Sequence, residues 1–134
     1  MSYQINYLQE EDYLIAEVTG NREKDTEAQY ALEALAQISE ACKSHKLSKV
    51  VAVWNIKGAM RPDQALILIS NLKKYKWSKD FVTASVHPYK DNFESHQYTV
   101  KVAKTLNWNI HFFQSIDEAK MWIRKISTSD ILAN

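Results

Sequence analysis

The chain has 134 residues, enough for one domain that buries its own core without staples, and its 17 basic and 16 acidic residues leave a net charge of +1. That balance gives no global field to draw in nucleic acid or an anionic membrane. A single cysteine, Cys42, excludes an intramolecular disulfide framework and zinc sites built on several thiolates, while the only two glycines, Gly20 and Gly58, exclude the glycine-rich phosphate loops and the G-x-S-x-G nucleophile elbow. The opening residues have neither a basic start nor an apolar core, and nowhere do 18 consecutive apolar residues occur. The expectation is therefore a soluble cytoplasmic protein with no stable membrane insertion.

Tyr3 to Leu8 and Tyr13 to Thr19 alternate in character, with Tyr3, Ile5 and Tyr7 on one face and Leu14, Ala16 and Val18 on another, and Gln9 to Asp12 between them predict a hairpin. From Thr26 the period becomes helical. Ala28, Ala31, Leu32, Leu35, Ile38 and Cys42 form one face, Thr26 and Gln29 have the spacing of a capping box, and the helix should end near His45 or Lys46. Lys49 to Trp54 is a β-branched apolar run, the signature of a strand buried on both faces of a parallel sheet. Pro62 suits a first helical turn, and a parallel crossover needs a dozen or more residues, so a second helix with Ala65, Leu66, Ile69 and Leu72 inward is expected.

Phe81 to Val86 predicts the next strand. Asp91 and Glu94 have capping-box spacing before a helix whose inner face is Phe93, His96, Val100, Ala103 and Leu106, and Asn107 to Asn109 turn out of it. Ile110 to Phe113 predicts the last strand, and Ser115 with Glu118 caps a helix that faces inward through Ala119, Trp122, Ile123 and Ile126. The expected organisation is one domain over residues 1–126 with a tail over 127–134. Its element order is β-β-α-β-α-β-α-β-α in the α/β class, with an antiparallel N-terminal hairpin on a mostly parallel sheet and helices packed on the sheet.

The opening hairpin, the strand VVAVWNIKG and above all the ending IHFFQSIDEAKMWI resemble the STAS-like proteins, the group related to bacterial anti-sigma-factor antagonists, and in particular its SpoIIAA-like branch. Members of that branch close with a short strand, an acidic cap, an alanine and a tryptophan; here Phe112, Phe113, Asp117, Glu118, Ala119 and Trp122 stand at those positions. The resemblance implies a sheet of four or five strands. It also implies a regulatory role in binding a protein partner or a small ligand rather than catalysis. In the antagonists a phosphorylated serine follows an aspartate at the turn after the third strand. The matching turn here, Asn55-Ile56-Lys57-Gly58-Ala59-Met60, offers no Ser, Thr or Asp before Asp63, so the phospho-switch is not expected. A related group of similar topology binds lipid-like or other apolar ligands, which keeps a carrier or sensor of a small amphipathic molecule as the alternative.

Ligands of open α/β sheets favour the crevice beyond the carboxyl ends of the strands. That geometry singles out Trp54, Asn55, Lys57, Gly58 and Met60 after the third strand, and His87, Pro88, Tyr89 and Lys90 after the fourth, as a mixture of apolar, cationic and imidazole groups fit for a partner or an amphipathic ligand. The plain alternative is a turn with packing aromatics. LKKYKWSK, Leu72 to Lys79, interleaves cations with Tyr75 and Trp77 as a nucleic-acid surface does, but lysines in a last helical turn are favoured by the helix dipole alone, and no nucleic-acid partner is expected. His45, His87, His96 and His111 lack a metal-binding spacing. No metal, cofactor or catalytic residue is assigned: a hydrolase built on His87 would lack an evident nucleophile, and Cys42 one turn from His45 reads as core packing. The hairpin edge and the second helix are compatible with a homodimer.

Overall fold

A computed structural model describes residues 3–91 and 96–126. Strand β1 (Gln4–Glu10) and strand β2 (Tyr13–Thr19) form the hairpin, followed by helix α1 (Glu27–Ser44), β3 (Lys49–Asn55), α2 (Pro62–Ser70), β4 (Val82–Val86), α3 (Gln97–Thr105), β5 (Ile110–Phe113) and α4 (Ile116–Arg124). The expected order and class are observed. One five-stranded sheet runs β1-β2-β3-β4-β5, with β1 antiparallel to β2 and every later pairing parallel. The predicted tail, Phe93 and the Asp91–Glu94 capping box fall wholly or partly outside the described residues.

The strand order dictates the layering. Each crossover from β2 to β5 steps the same way along the sheet, so crossovers of one hand place their helices on the same face. Accordingly α1 and α2 contribute Ala28, Ala31, Leu32, Leu35, Ile38, Ala65 and Leu68 to one core with Leu14, Ala16, Val18, Val50, Ala52 and Trp54 of the sheet, which Ala103 of α3 joins. The second core holds Ile15, Val51, Val53, Val82, Ala84 and Val86 against Ala119 and Ile123 of α4. Strand β3 is thus buried on both sides, as its unbroken apolar run requires. Lys49 at its start is buried and donates through Nζ to Asp12 Oδ2 and to the Ile126 carbonyl, both at 2.7 Å, which ties the hairpin turn to the end of α4. Gly20 has a steric reason: a Cβ there would stand 2.5 Å from the Tyr3 ring.

Several local expectations are corrected. At about 100° per residue Leu68 lies nearer to Ala65 on the α2 wheel than Leu66 does, and it is Leu68 that is buried while Leu66 points to solvent. Leu106 caps α3 and is exposed rather than inward. Helix α2 ends at Ser70 with no basic residue in its last turn, so Lys73, Lys74 and Lys76 sit in the turns that follow, where Trp77 is buried in the core and Tyr75 packs on it. The Thr26–Gln29 capping box does not form. Thr26 Oγ1 donates to the Glu23 carbonyl at 3.1 Å, and the orphan amide of Ala28 is satisfied from outside the helix, by Gln64 Oε1 of α2 at 3.0 Å. By contrast Ser115 Oγ accepts from the Glu118 amide at 3.4 Å, as its spacing predicts.

The cap borrowed from α2 has a measurable consequence. Gln64→Ala should lower unfolding stability in urea by about 1–2 kcal/mol, the cost of a buried donor left unpaired, and Thr26→Ala by less. A larger loss in the Thr26 variant would assign the cap to the threonine instead.

Candidate functional site

Strand β4 sets the site. Its Val82, Ala84 and Val86 face α4, so by alternation Thr83, Ser85 and the following His87 point under the three-helix layer, and all three are buried there. Register with the neighbouring strands places Ser85 beside Ala52 on one side and Phe112 on the other, and the His87 amide extends the ladder to the Phe113 carbonyl at 2.8 Å. Trp54 Nε1 donates to Ser85 Oγ at 3.1 Å, and Ser85 Oγ lies 2.8 Å from His87 Nε2. Ser85 Oγ thus accepts from Trp54 and shares a second hydrogen bond with His87 Nε2, whose direction is set by the imidazole tautomer.

His96, the residue at the N-terminal cap of α3, stacks over this row. The two imidazole centroids are 4.0 Å apart at 36°, and the His87 ring lies nearly parallel to Phe112 at 5.3 Å. His96 Nδ1 pairs with Thr99 Oγ1 at 3.3 Å. The two residues are 3% and 4% exposed, so both imidazoles belong to the interior. Burial holds the His87 imidazole well below its usual range, helped by His96 and by the nearby Arg22 guanidinium; burial, then Arg22, pushes His96 down to about 4. At neutral pH both are uncharged. Cys42 is likewise no thiolate, since burial pushes its thiol up to about 12.

The two strand exits singled out by the sequence divide into an inner and an outer group. Trp54 and His87 turn inward and line a cavity of about 50 Å³ between the sheet, α1, α2 and α3, with Met60 buried in the same core. Asn55 ends β3 half-buried, while Lys57, Pro88, Tyr89 and Lys90 are at the surface, where Lys57 Nζ stands 5.8 Å from the Tyr89 ring centroid. Gly58 has φ +94°, a conformation that favours glycine, and its carbonyl accepts from Arg22 Nε at 2.7 Å. Thr83, Ser85, Trp77 and Thr99 also line the cavity and were missed by the sequence reading. The polar alternation V-T-A-S-V-H along the predicted fourth strand was the available signal.

Ser85 and His87 have the separation of a nucleophile and its base. Yet the serine oxygen already accepts from Trp54, the pair is shut off from solvent, and His87 Nδ1 has no partner among the described residues to orient the ring. Among the described residues there is no group of three or more His, Cys, Asp or Glu placed to hold a metal ion, and no helix is long and apolar enough to cross a membrane.

A neutral buried histidine makes stability depend on pH with a definite sign. The folded His96 value lies below the unfolded 6.5, so its contribution is complete above pH 6.5 and is lost as pH falls toward 4, a loss on the order of 3 kcal/mol. Urea titrations of the unaltered chain and of His96→Phe across that window should diverge, with the variant losing less. Parallel curves would mean that His96 does not have to be neutral for the chain to fold.

No family model matches the chain, and no curated protein matches it. Among solved structures it is similar to the crystal structure of an anti-sigma factor antagonist from Mycobacterium paratuberculosis, with a TM-score of 0.61 over 92% of this chain and 96% of that one, at 15% sequence identity. Coverage that complete at so low an identity means that architecture is shared where side chains are not. The hairpin, the one-directional strand order and the helical layers thus give this chain the STAS fold of the anti-sigma factor antagonists.

Proposed function

We propose that the chain is a non-catalytic, cytoplasmic regulatory domain of the STAS type that binds a protein partner and does so without a serine phospho-switch. The observation that carries this reading is the solvent-facing side of α2. Leu66 and Ile67, each 44% exposed, are adjacent apolar residues on a helix whose other face is packed in the core. Ile67 borders a groove of about 250 Å³ that also takes in Gln29, Leu32 and Asn71 between α1 and α2. Asn55, Lys57 and Gly58 precede the helix in the chain, Tyr89 stands beside Lys57, and these exposed or half-buried residues are assigned to the same partner-binding role. An exposed apolar pair beside a groove suits a folded protein that presents apolar side chains of its own.

The turn from Asn55 to Pro62 has no hydroxyl to phosphorylate, which supports regulation by association alone. The buried, doubly engaged Ser85 supports a role other than hydrolysis. The solved relative is an anti-sigma factor antagonist, and that likeness of fold favours a partner of the regulatory kind.

The test is capture from cell lysate with the unaltered chain, a Leu66→Glu/Ile67→Glu double variant, and Met121→Glu on α4 as a control at another exposed apolar position. Exposed substitutions should leave stability within about 0.5 kcal/mol. One protein should be retained by the unaltered and Met121 chains and lost from the α2 variant. Equal retention by all three, or recovery of the free chain alone, would refute the reading.

A further inference from the structure

The sheet ends at β5, and no strand among the described residues pairs with its outer side. The carbonyls of Asn109 and Phe113 accept from the amides of Thr83 and His87, so by alternation Ile110 and Phe112 turn their own amides and carbonyls to the open edge. Sheet edges are commonly guarded by a lysine, a proline or a bulge, and Ile110–Phe113 has none of these. Its surroundings are aromatic instead. Trp108 and Phe112 on the α3 side and Phe113 and Trp122 on the α4 side line one groove of about 430 Å³ that straddles the strand. A second hollow of about 480 Å³ continues it past Phe112 and Phe113 to Glu118 of α4.

The chain's own continuation is a poor occupant of this edge. A sixth strand entering parallel from α4 would make a left-handed crossover, because α4 lies on the face opposite α1, α2 and α3. A second copy meets the requirements of pairing. Antiparallel strands bond where the edge-facing residues of each oppose those of the other, and a two-fold axis through Phe112 achieves this: Phe112 opposes its copy, Ile110 opposes Gln114, and on the α4 side His111 opposes Phe113.

The charges beside the strand match under the same axis. Trp122 stands beside both His111 and Phe113, with ring centroids at 4.4 Å and 5.6 Å, which puts it near the level of the axis. Along α4, Glu118 lies about 6 Å from Trp122 toward one end of the strand and Lys125 about 4.5 Å toward the other. Both side chains are exposed. The axis inverts their order, so each Glu118 comes opposite the Lys125 of the second copy.

We infer that the open edge of β5 is a docking surface for a second copy of this chain, which joins the two sheets through antiparallel β5 strands and sets two Glu118–Lys125 pairs across the axis. The inference is independent of the partner-binding reading, which uses the outer face of α2.

Sedimentation of the full chain from micromolar to millimolar concentration should show a monomer–dimer equilibrium, and hydrogen exchange at the Phe112 amide should slow as the dimer fills. Glu118→Lys and Lys125→Glu should each weaken dimerisation about tenfold, because each turns two attractive pairs into two repulsive ones, and the double variant Glu118→Lys/Lys125→Glu should recover it. Recovery separates the pairing from the helix stability that Glu118→Lys loses by placing a cation in the first turn of α4. A monomer at every concentration, a dimer insensitive to both reversals, no recovery in the double variant, or protection that arises at β1 or α2 instead would each overturn the inference. A Phe112 amide already slow in the monomer would overturn it too, since the chain would then cover its own edge.

Discussion

The architecture depends on the strand order. Because the sheet runs β1-β2-β3-β4-β5 without reversal, the three crossovers after the hairpin all step in one direction, and a common hand stacks α1, α2 and α3 on one face. The other face is left to α4 alone. Two cores of unequal depth follow, and β3 and β4 lie between them with no side open to water. An order with no reversal also has no point at which neighbouring strand ends diverge into an open crevice. The inner residues of the loops after β3 and β4 therefore run beneath the helical layer, and only their outer residues reach solvent.

That layering turns a small sequence irregularity into the chemical centre of the molecule. Thr83, Ser85 and His87 occupy the side of β4 that the thicker core covers, so hydroxyls and an imidazole stand where aliphatic groups would pack without cost. The protein answers in part. Trp54 and Ser85 satisfy one nitrogen of His87, and the start of α3 brings His96 over the ring to give a stacked, uncharged pair. Trp77 Nε1, Thr83 Oγ1, His87 Nδ1 and His96 Nε2 are left without a partner, on residues that line a small void. A fold selected only for stability would fill such a row with valine or leucine, whose burial carries no unpaired group.

Contacts between helices, more than contacts within them, fix the opposite end of the helical layer. Gln64 of α2 supplies the cap that α1 lacks, and Arg61 Nη2, just before α2, meets Asp25 Oδ1 at 2.6 Å just before α1. The two helix starts are thereby held together, which sets the groove between them and the outward display of Leu66 and Ile67. The same loop carries the lone positive-φ glycine and its bond to Arg22, whose guanidinium in turn acts on both buried imidazoles. The surface offered to a partner and the interior cavity share a scaffold but not their residues.

The sequence by itself determined the elements and their class. Period-2 alternation marks the hairpin, the run from Lys49 to Trp54 marks a doubly buried strand, and Ser115 with Glu118 marks the last helix, because each of these signals is local and its partner lies within a few residues. Tertiary structure decided whatever needs a residue far along the chain. Thr26 has the spacing of a cap but loses that role to Gln64, 36 positions beyond Ala28, and Leu66 gives way to Leu68 because the position of the sheet, not the hydrophobicity of the run, selects the inner face. His87 and His96 are each unremarkable in sequence. Their pairing, and with it the neutral interior site, exists only once parallel pairing of β3, β4 and β5 sets the floor and α3 closes over it.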